Sequence, residues 1–316
     1  MFSNQLLRKV TALRVALATL FALVAVCPAQ IEMRYRGTLL GDSSATRLAQ
    51  PLGMSVDHAG NIYIADTGNQ RVLKCDAQGK FVREVGGFGF GEQQFDRPVE
   101  VWVDNGLNVF VADYNNRRLQ RYDKDLNFIS TYANDEALEE SLHFGYPAAL
   151  ALSAQGELFV ADHEFNRVLR FEALGRPKAS FGDFNWGEGS LERPAKILVT
   201  RKGEVWVSDS LRHAIMIYDA FGNFVRGIAL DENAAPSGMT EAERGVIVAD
   251  RKQHALLFIS AEGERFFTFG KRGKGEHEFE APAAVAMLRS AGQSAARLLV
   301  LDRGNHRVQE FEVRGW

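Results

Sequence analysis

Six aspartates recur along the chain, each at the end of a short apolar run. A carboxylate in such a position can bind a ligand or accept hydrogen bonds from nearby N–H groups. Successive members are 47, 49, 47, 41 and 52 residues apart. They are Asp66, Asp113, Asp162, Asp209, Asp250 and Asp302. In four of the six, an arginine follows five residues later: Arg71, Arg118, Arg167 and Arg307. This spacing favours a structural ion pair at a turn, with ligand binding as the alternative.

Histidines are the other residues whose spacing could do chemistry. The chain contains repeated segments, and His213, His254 and His306 occupy the same turn position in three consecutive repeats. A zinc site needs its ligands within about 2 Å of one ion, and equivalent turns of neighbouring units lie well apart. The sequence also lacks the Gly-x-Ser-x-Gly and His-Glu-x-x-His motifs. We therefore expect no metal site and no cofactor, and we assign no catalytic residue.

The aspartates belong to a longer repeated segment. "NIYIADTGNQRVLKCD" begins at Asn61 and "NVFVADYNNRRLQRYD" begins at Asn108. Similar segments begin at Glu157, Glu204, Gly245 and Arg297. A period of about 40–50 residues is typical of repeat architectures, in which stacked units bury a continuous core.

Each unit divides into four β-runs separated by short turns rich in Gly, Asp and Asn. In the first unit the runs are Leu52–Asp57, Asn61–Asp66, Arg71–Cys75 and Lys80–Gly86. We name the strands a, b, c and d in chain order. Because a four-stranded meander cannot bury both faces alone, the pattern predicts an all-β, six-bladed β-propeller with four-stranded antiparallel blades.

The last unit has no strand d before the chain ends at Trp316. A β-run from Met33 to Gly41 precedes the first strand a. We expect this N-terminal strand to pair with strand c of blade six, because that pairing closes the ring and removes an open edge.

The first 29 residues lie outside the repeat. Arg8, Lys9 and Arg14 precede the apolar segment Val15–Val26, and Cys27–Ala29 offers small residues at a cleavage site. This order is typical of a secretory signal peptide. We expect residues 1–29 to be removed and 30–316 to form one domain, periplasmic or secreted, with no stable membrane span after cleavage. The alternative is a segment retained as an anchor.

Export would leave a monomeric chain of moderate negative charge. The full chain has 37 Lys and Arg against 40 Asp and Glu, and removal of three basic residues brings the formal charge to −6. Such a chain is a poor binder of polyanions overall, so we expect no nucleic-acid partner. Cys75 is then the one remaining cysteine, and we expect it to fill space in the core.

The turns and linkers resemble those of the NHL-repeat family. The matching segments include "DTGNQRV" from Asp66, "RGNHRV" from Arg303 and the linker "GGFGFGEQQFDRP". A proline also leads into every strand a: Pro51, Pro98, Pro147, Pro194, Pro236 and Pro282. The resemblance implies a six-bladed propeller over about residues 33–316. Similar propellers include protein-binding and RNA-binding modules, a lyase of peptide amidation and hydrolases, so the fold does not select the function.

The meander places candidate binding residues on one end of the propeller, the top face, where strand a begins, strand b ends and strand c begins. The residues two after each proline are small except Glu100 and Lys196. Charged side chains at a narrow axial position are costly unless they are solvated or paired. They could clamp a ligand, or they could pair with each other or point to water.

The b–c turns of blades four to six carry positive charge. We expect Arg212, Arg251, Lys252 and Arg303 to form a basic sector on the top face, and Tyr114 and His163 of blades two and three join the candidate ligand-binding residues. The linker after blade five adds Lys271, Arg272 and Lys274, although its three glutamates could neutralise them.

These features predict a binding or scaffold module that holds a protein, peptide or acidic glycan on its top face. The basic sector could steer an acidic partner. The alternative is a propeller hydrolase or lyase, resembling an amidating lyase or a lactonase, with its active site in the channel.

Overall fold

The computed structural model describes residues 31–41, 45–104, 108–134, 136, 138–172, 175–288 and 295–316. The predicted signal segment lies outside the described residues. Within them, no helix is long and apolar enough to span a membrane.

The described residues form six four-stranded sheets, one for each predicted unit. Blade one contains Gly53–Val56, Ile62–Asp66, Arg71–Cys75 and Phe81–Gly86. Blade two contains Pro98–Val103, Val109–Asp113, Arg118–Tyr122 and Phe128–Tyr132. Blade three contains Pro147–Leu152, Leu158–Asp162, Arg167–Phe171 and Pro177–Phe181. Blade four contains Pro194–Val199, Val205–Asp209, Ala214–Tyr218 and Phe224–Ala229. Blade five contains Pro236–Glu241, Gly245–Asp250, Ala255–Ser260 and Arg265–Phe269.

Blade six is completed by the N-terminal strand, as predicted. Its strands a, b and c are Ala284–Leu288, Ala295–Asp302 and Arg307–Arg314. Glu32–Leu40 pairs antiparallel with strand c, with Tyr35 opposite Phe311. The propeller is therefore closed by contacts between the two ends of the described chain.

The remaining elements are short. Four 3₁₀ turns cover Thr67–Asn69, Glu140–Leu142, Phe184–Gly189 and Arg303–Asn305. A two-residue parallel pairing joins Lys271–Arg272 to Glu278–Phe279 within one linker.

The core is divided among the six blade-to-blade interfaces. Blades six and one, for example, share a cluster that includes Leu40, Met54, Ile64, Leu299 and Val308. Equivalent clusters lie between each other pair of neighbouring blades. Each blade thus buries both faces against neighbours, and the apolar area removed from water stabilises the ring as a whole.

The burial of each strand explains why strands b and d have different sequence patterns. Val109–Asp113, a strand b, is buried at every position because neighbouring blades cover both faces, so it reads as a continuous apolar run. Phe128–Tyr132, a strand d, alternates between half-buried and exposed positions because it lies at the rim. The same contrast recurs in blade four, between Val205–Asp209 and Phe224–Ala229.

The repeated aspartates are structural, as the spacing favoured. All six are fully buried. Asp113 accepts hydrogen bonds from the Asp96 N–H at 2.8 Å and the Asn116 side chain at 2.8 Å, and it binds the Arg118 Nε at 2.8 Å. Each aspartate therefore ties the linker entering its own blade to the b–c turn.

Blades four and five hold their turns without the arginine. Asp209 accepts from the backbone N–H groups of Leu211 and Arg212, each at 3.0 Å. Asp250 accepts from the N–H groups of Lys252 at 2.9 Å and Gln253 at 3.0 Å. Backbone donors thus hold these two turns without a guanidinium, although the buried Oδ2 of Asp250 has no hydrogen-bond partner.

Deleting residues 30–41 should destabilise the protein, because it exposes the edge of strand c and removes Leu40 from the core between blades six and one. Burying one large apolar side chain contributes about 1.5–3 kcal/mol, and the lost pairing adds to this. We expect a loss of at least about 3 kcal/mol in the free energy of unfolding, measured in urea. A chain lacking only residues 1–29 is the control. Equal stability of the two chains would contradict closure by this strand.

Candidate functional site

A cavity of about 200 Å³ lies on the propeller axis at the top face. Every blade contributes to its wall the residue that directly follows the proline of the linker. These six residues are Leu52, Val99, Ala148, Ala195, Ser237 and Ala283. Because the same position of all six blades meets there, the cavity is the mouth of the central channel.

Four arginines line this cavity: Arg97, Arg193, Arg251 and Arg303. Arg97 and Arg193 directly precede the prolines of blades two and four, and Arg251 and Arg303 directly follow the aspartates that end strand b in blades five and six. Within the described residues, none of the four forms an ion pair with a carboxylate. We call the cavity that these four residues line the arginine cavity.

The guanidinium groups repel one another. Burial, and then the charges of Arg251 and Arg97, lower the pKa of Arg303. The pKa of Arg251 is lowered by the partial burial of its side chain and then by Arg193, while Asp250 opposes the shift. The Nε of Arg303 is buried without a hydrogen-bond partner. An anion in the cavity would relieve this repulsion and supply the missing acceptor.

A stack of alternating cations and rings holds Arg97 in place. Its guanidinium lies 4.8 Å from the centre of the Tyr114 ring, and Tyr114 stacks on Tyr146 at 5.0 Å. On the far side, the Arg117 guanidinium lies 4.4 Å from the centre of the Tyr146 ring and donates to its hydroxyl at 2.9 Å. Because cation–π contacts restrain both arginines, Arg97 faces the cavity already ordered.

His163 joins this wall as a neutral side chain. Its Nε2 lies 2.8 Å from the Pro194 carbonyl oxygen, to which it donates. Its Nδ1 lies 3.2 Å from the Tyr114 hydroxyl, which donates to it. Burial, and then the charges of Arg193 and Arg97, lower the pKa of His163 below its ordinary value of 6.5. The neutral ring therefore adds no further positive charge to the cavity.

The floor of the cavity is an ion pair across the axis. The Glu100 carboxylate binds the Lys196 ammonium, and the two residues are only 3% and 9% exposed. Burial raises the pKa of the Glu100 carboxyl, and Lys196 opposes that rise. Space at this level is scarce, since a Cβ on Gly53 would lie 2.7 Å from the Glu100 Cα. The pair as a whole carries no net charge.

The structure brings together five of the eight predicted ligand-binding residues. Glu100, Tyr114, His163, Arg251 and Arg303 all line the cavity.

Three predicted residues lie elsewhere. Lys196 is held by Glu100 beneath the cavity wall. Arg212 donates to the Ser190 hydroxyl at 3.1 Å, and Lys252 is exposed outside the cavity. These three residues therefore do not line the cavity, and their role in ligand binding stays a prediction.

The linker after blade five does not extend the basic sector. Lys271 pairs with Glu278 at 3.3 Å, and Arg272 pairs with Glu280 at 3.0 Å. Neighbouring glutamates thus compensate these two cations, whereas the four arginines of the cavity have no such partner among the described residues.

Sequence reasoning missed Arg97 and Arg193. A signal was present, because the residue before each proline recurs at the same position of every blade, and in two blades it is an arginine. Asp113 and Asp209 accept from the backbone N–H groups of this linker segment, which fixes it above the channel.

The turn histidines join neighbouring blades. His254 Nδ1 accepts from the Ala281 N–H at 3.0 Å, and His306 Nδ1 accepts from the Gln50 N–H at 3.3 Å. His213 Nδ1 donates to the Ala234 carbonyl at 2.6 Å. Among the described residues, no group of three His, Cys, Asp or Glu side chains could share a metal ion.

Comparisons with known proteins agree with this architecture. A sequence model of the family described as NHL repeat matches residues 48–75. The chain carries an NHL repeat within a six-bladed propeller. Protein brain tumor of Drosophila melanogaster is 31% identical over 130 residues, which make up 40% of this chain and 12% of the length of that protein.

Solved structures of low identity share the fold. An auxiliary nutrient binding protein from Bacteroides thetaiotaomicron has a TM-score of 0.62 at 14% identity, covering 90% of this chain and 77% of that one. Virginiamycin B lyase from Staphylococcus aureus has a TM-score of 0.57 at 12% identity, covering 89% and 99%. At such identities the likeness shows the fold alone, and the neighbours include both a binding protein and an enzyme.

The depressed pKa of His163 predicts a pH effect. As the pH falls below 6.5, the ordinary pKa of histidine, the His163 ring takes up a proton in the unfolded chain but stays neutral in the folded protein. The free energy of unfolding therefore falls as the pH decreases. NMR titration of the ring protons should give a pKa below 6.5 for His163. Between about pH 7 and pH 5, wild type should lose more unfolding free energy than His163→Gln. His58→Gln, at an exposed turn, is the control, and a His163 pKa above 6.5 would reverse the assignment.

Proposed function

We propose that this NHL-repeat propeller is a binding module that holds an anionic group of a larger ligand in the arginine cavity. The observation that carries the proposal is the convergence of four arginines, none with a carboxylate partner among the described residues, on one small cavity. Arginine presents a planar set of donors that suits carboxylates and phosphates. Unpaired cations held together weaken a fold, so their presence at one site favours a role in binding.

The size of the cavity indicates what part of the ligand enters it. Its volume of about 200 Å³ is below the roughly 300–1,000 Å³ of pockets that enclose a drug-sized molecule. One acidic group fits such a volume, and the rest of the ligand would then lie on the surrounding top face. The ligand classes are a protein, a peptide or an acidic glycan.

The cavity should lose affinity when its arginines lose their charge. We expect the double variant Arg251→Gln/Arg303→Gln to bind acidic peptides and oligogalacturonates at least about tenfold more weakly, since a hydrogen bond to a charged group contributes about 1.5–3 kcal/mol. Lys252→Gln is the matched control, because Lys252 adjoins Arg251 in sequence but lies outside the cavity. Binding would be measured by calorimetry at several salt concentrations.

The pKa of His163 gives a second, independent measurement of anion binding in the arginine cavity. Arg193 and Arg97 depress its pKa, so an anion that neutralises them should raise that pKa in an NMR titration. An array of acidic and neutral ligands that shows no binding, together with an unchanged His163 pKa, would contradict the proposed function.

A propeller hydrolase or lyase is the second candidate. It is favoured by one observation, that Glu100, Tyr114 and His163 line the same cavity. Both ring nitrogens of His163 already have partners, however, and Glu100 is paired with Lys196. A screen of lactones and amidation intermediates distinguishes the two candidates, because turnover abolished by His163→Gln would support the enzyme.

Export is part of the proposal. The order of basic, apolar and small residues over 1–29 supports it. We expect the protein in a periplasmic or secreted fraction, with an N-terminus near Gln30 by mass spectrometry. An intact Met1 in a cytoplasmic fraction would overturn this prediction.

A further inference from the structure

A groove with two exposed phenylalanines lies on blades three and four. Phe165 of a b–c turn, Phe184 of the following linker and Leu191 are its apolar residues, and its volume is about 420 Å³. Its polar lining residues are Glu164, Asn166, Arg167 and Asp183. Phe165 is 48% exposed and Phe184 is 85% exposed. Large exposed aromatic side chains grouped around one groove are typical of interaction sites.

The groove and the cavity lie within reach of one short ligand. His163 lines the cavity and Phe165 lines the groove, and they are two residues apart in the same turn. Two residues span at most about 7 Å. A ligand of a few residues with one group in the cavity could therefore also contact Phe165.

Contacts from Arg167 hold the Phe165 side of the groove in place. The Arg167 guanidinium lies 4.6 Å from the centre of the Phe165 ring, and its Nη groups donate to the Ser141 and His143 carbonyl oxygens at 2.7 and 2.5 Å. Arg167 is thus fixed by three contacts, and it supports one face of the ring. A preorganised aromatic surface binds with a smaller loss of conformational entropy.

We infer that the ligand is a protein that presents a short acidic segment, with an acidic side chain in the arginine cavity and a large apolar side chain in the groove. This inference rests on the proposed function and selects among its ligand classes. The unpaired arginines require negative charge in the ligand, and the phenylalanines beside them favour an apolar side chain over a sugar ring rich in hydroxyl groups. A peptide supplies both groups a few residues apart.

The test is selection of a phage-displayed library of random linear peptides on the purified protein. Selected peptides should share an acidic residue and an aromatic or large aliphatic residue within a few positions of each other. Replacing the acidic residue by its amide, or the apolar residue by Ser, should weaken binding at least about tenfold, which corresponds to about 1.4 kcal/mol.

Variants of the protein test whether the acidic residue of the peptide binds the cavity and its apolar residue binds the groove. Phe184→Ser should remove the preference for the apolar residue and keep the dependence on the acidic one. Because Phe184 is 85% exposed, this substitution removes little packing from the fold. Phe221→Ser is the matched control, because Phe221 is 74% exposed in the c–d turn of blade four, at the opposite end of that sheet. It should bind as wild type does.

The outcomes separate this inference from the proposed function. Failure to select any peptide, Phe184→Ser variants that bind like wild type, or oligogalacturonates that bind more tightly than every selected peptide would each overturn the protein partner. In the last case, binding that still depends on Arg251 and Arg303 keeps the proposed function. Absence of any anion binding in the arginine cavity would overturn both the protein partner and the proposed function.

Discussion

The buried aspartate at the end of each strand b is the constraint on which the top face depends. Asp302 illustrates it by accepting from the Glu280 N–H at 2.7 Å, the Asn305 side chain at 2.8 Å and the Arg307 Nε at 2.9 Å. One carboxylate thus fixes the linker that enters strand a and the turn that leaves strand b. A charge buried this deeply is stable only when its hydrogen bonds are satisfied. The linker and the turn supply these bonds, except at Asp250, whose Oδ2 is buried without a partner.

The same constraint explains why binding residues occur where they do. The residue after the aspartate and the residues beside the proline are held at the channel mouth by the backbone, whatever their side chains. Six blades therefore offer the same positions, and substitution changes the chemistry without changing the fold. Here the result is an uneven ring, with arginine at four positions, an ordered aromatic stack at another and small residues between them.

Some buried or partly buried cations of this protein are paired with a carboxylate, and others are not. Lys196 is compensated by Glu100 on the channel floor, and Arg118 is compensated by Asp113 in a turn. Arg251 and Arg303 have no such partner among the described residues. Burial and then the charge of Arg251 lower the pKa of Arg303, and burial and then the charge of Arg193 lower the pKa of Arg251. The compensated pairs hold elements of the propeller together, while the uncompensated arginines give the channel mouth a local positive charge.

The sequence by itself determined the blade number, the four-stranded meander and the closure by the N-terminal strand, because each follows from a repeat period and from apolar runs that local rules can read. It also indicated that Asp66 and its equivalents are structural, since a carboxylate and an arginine five residues apart meet across one turn. Only the tertiary structure decided which charges remain free. Glu100 and Lys196 are 96 residues apart in sequence and meet across the axis. Arg97 and Arg193 join Arg251 and Arg303 only because two linkers and two turns from four different blades converge on one channel. No local sequence pattern encodes this proximity.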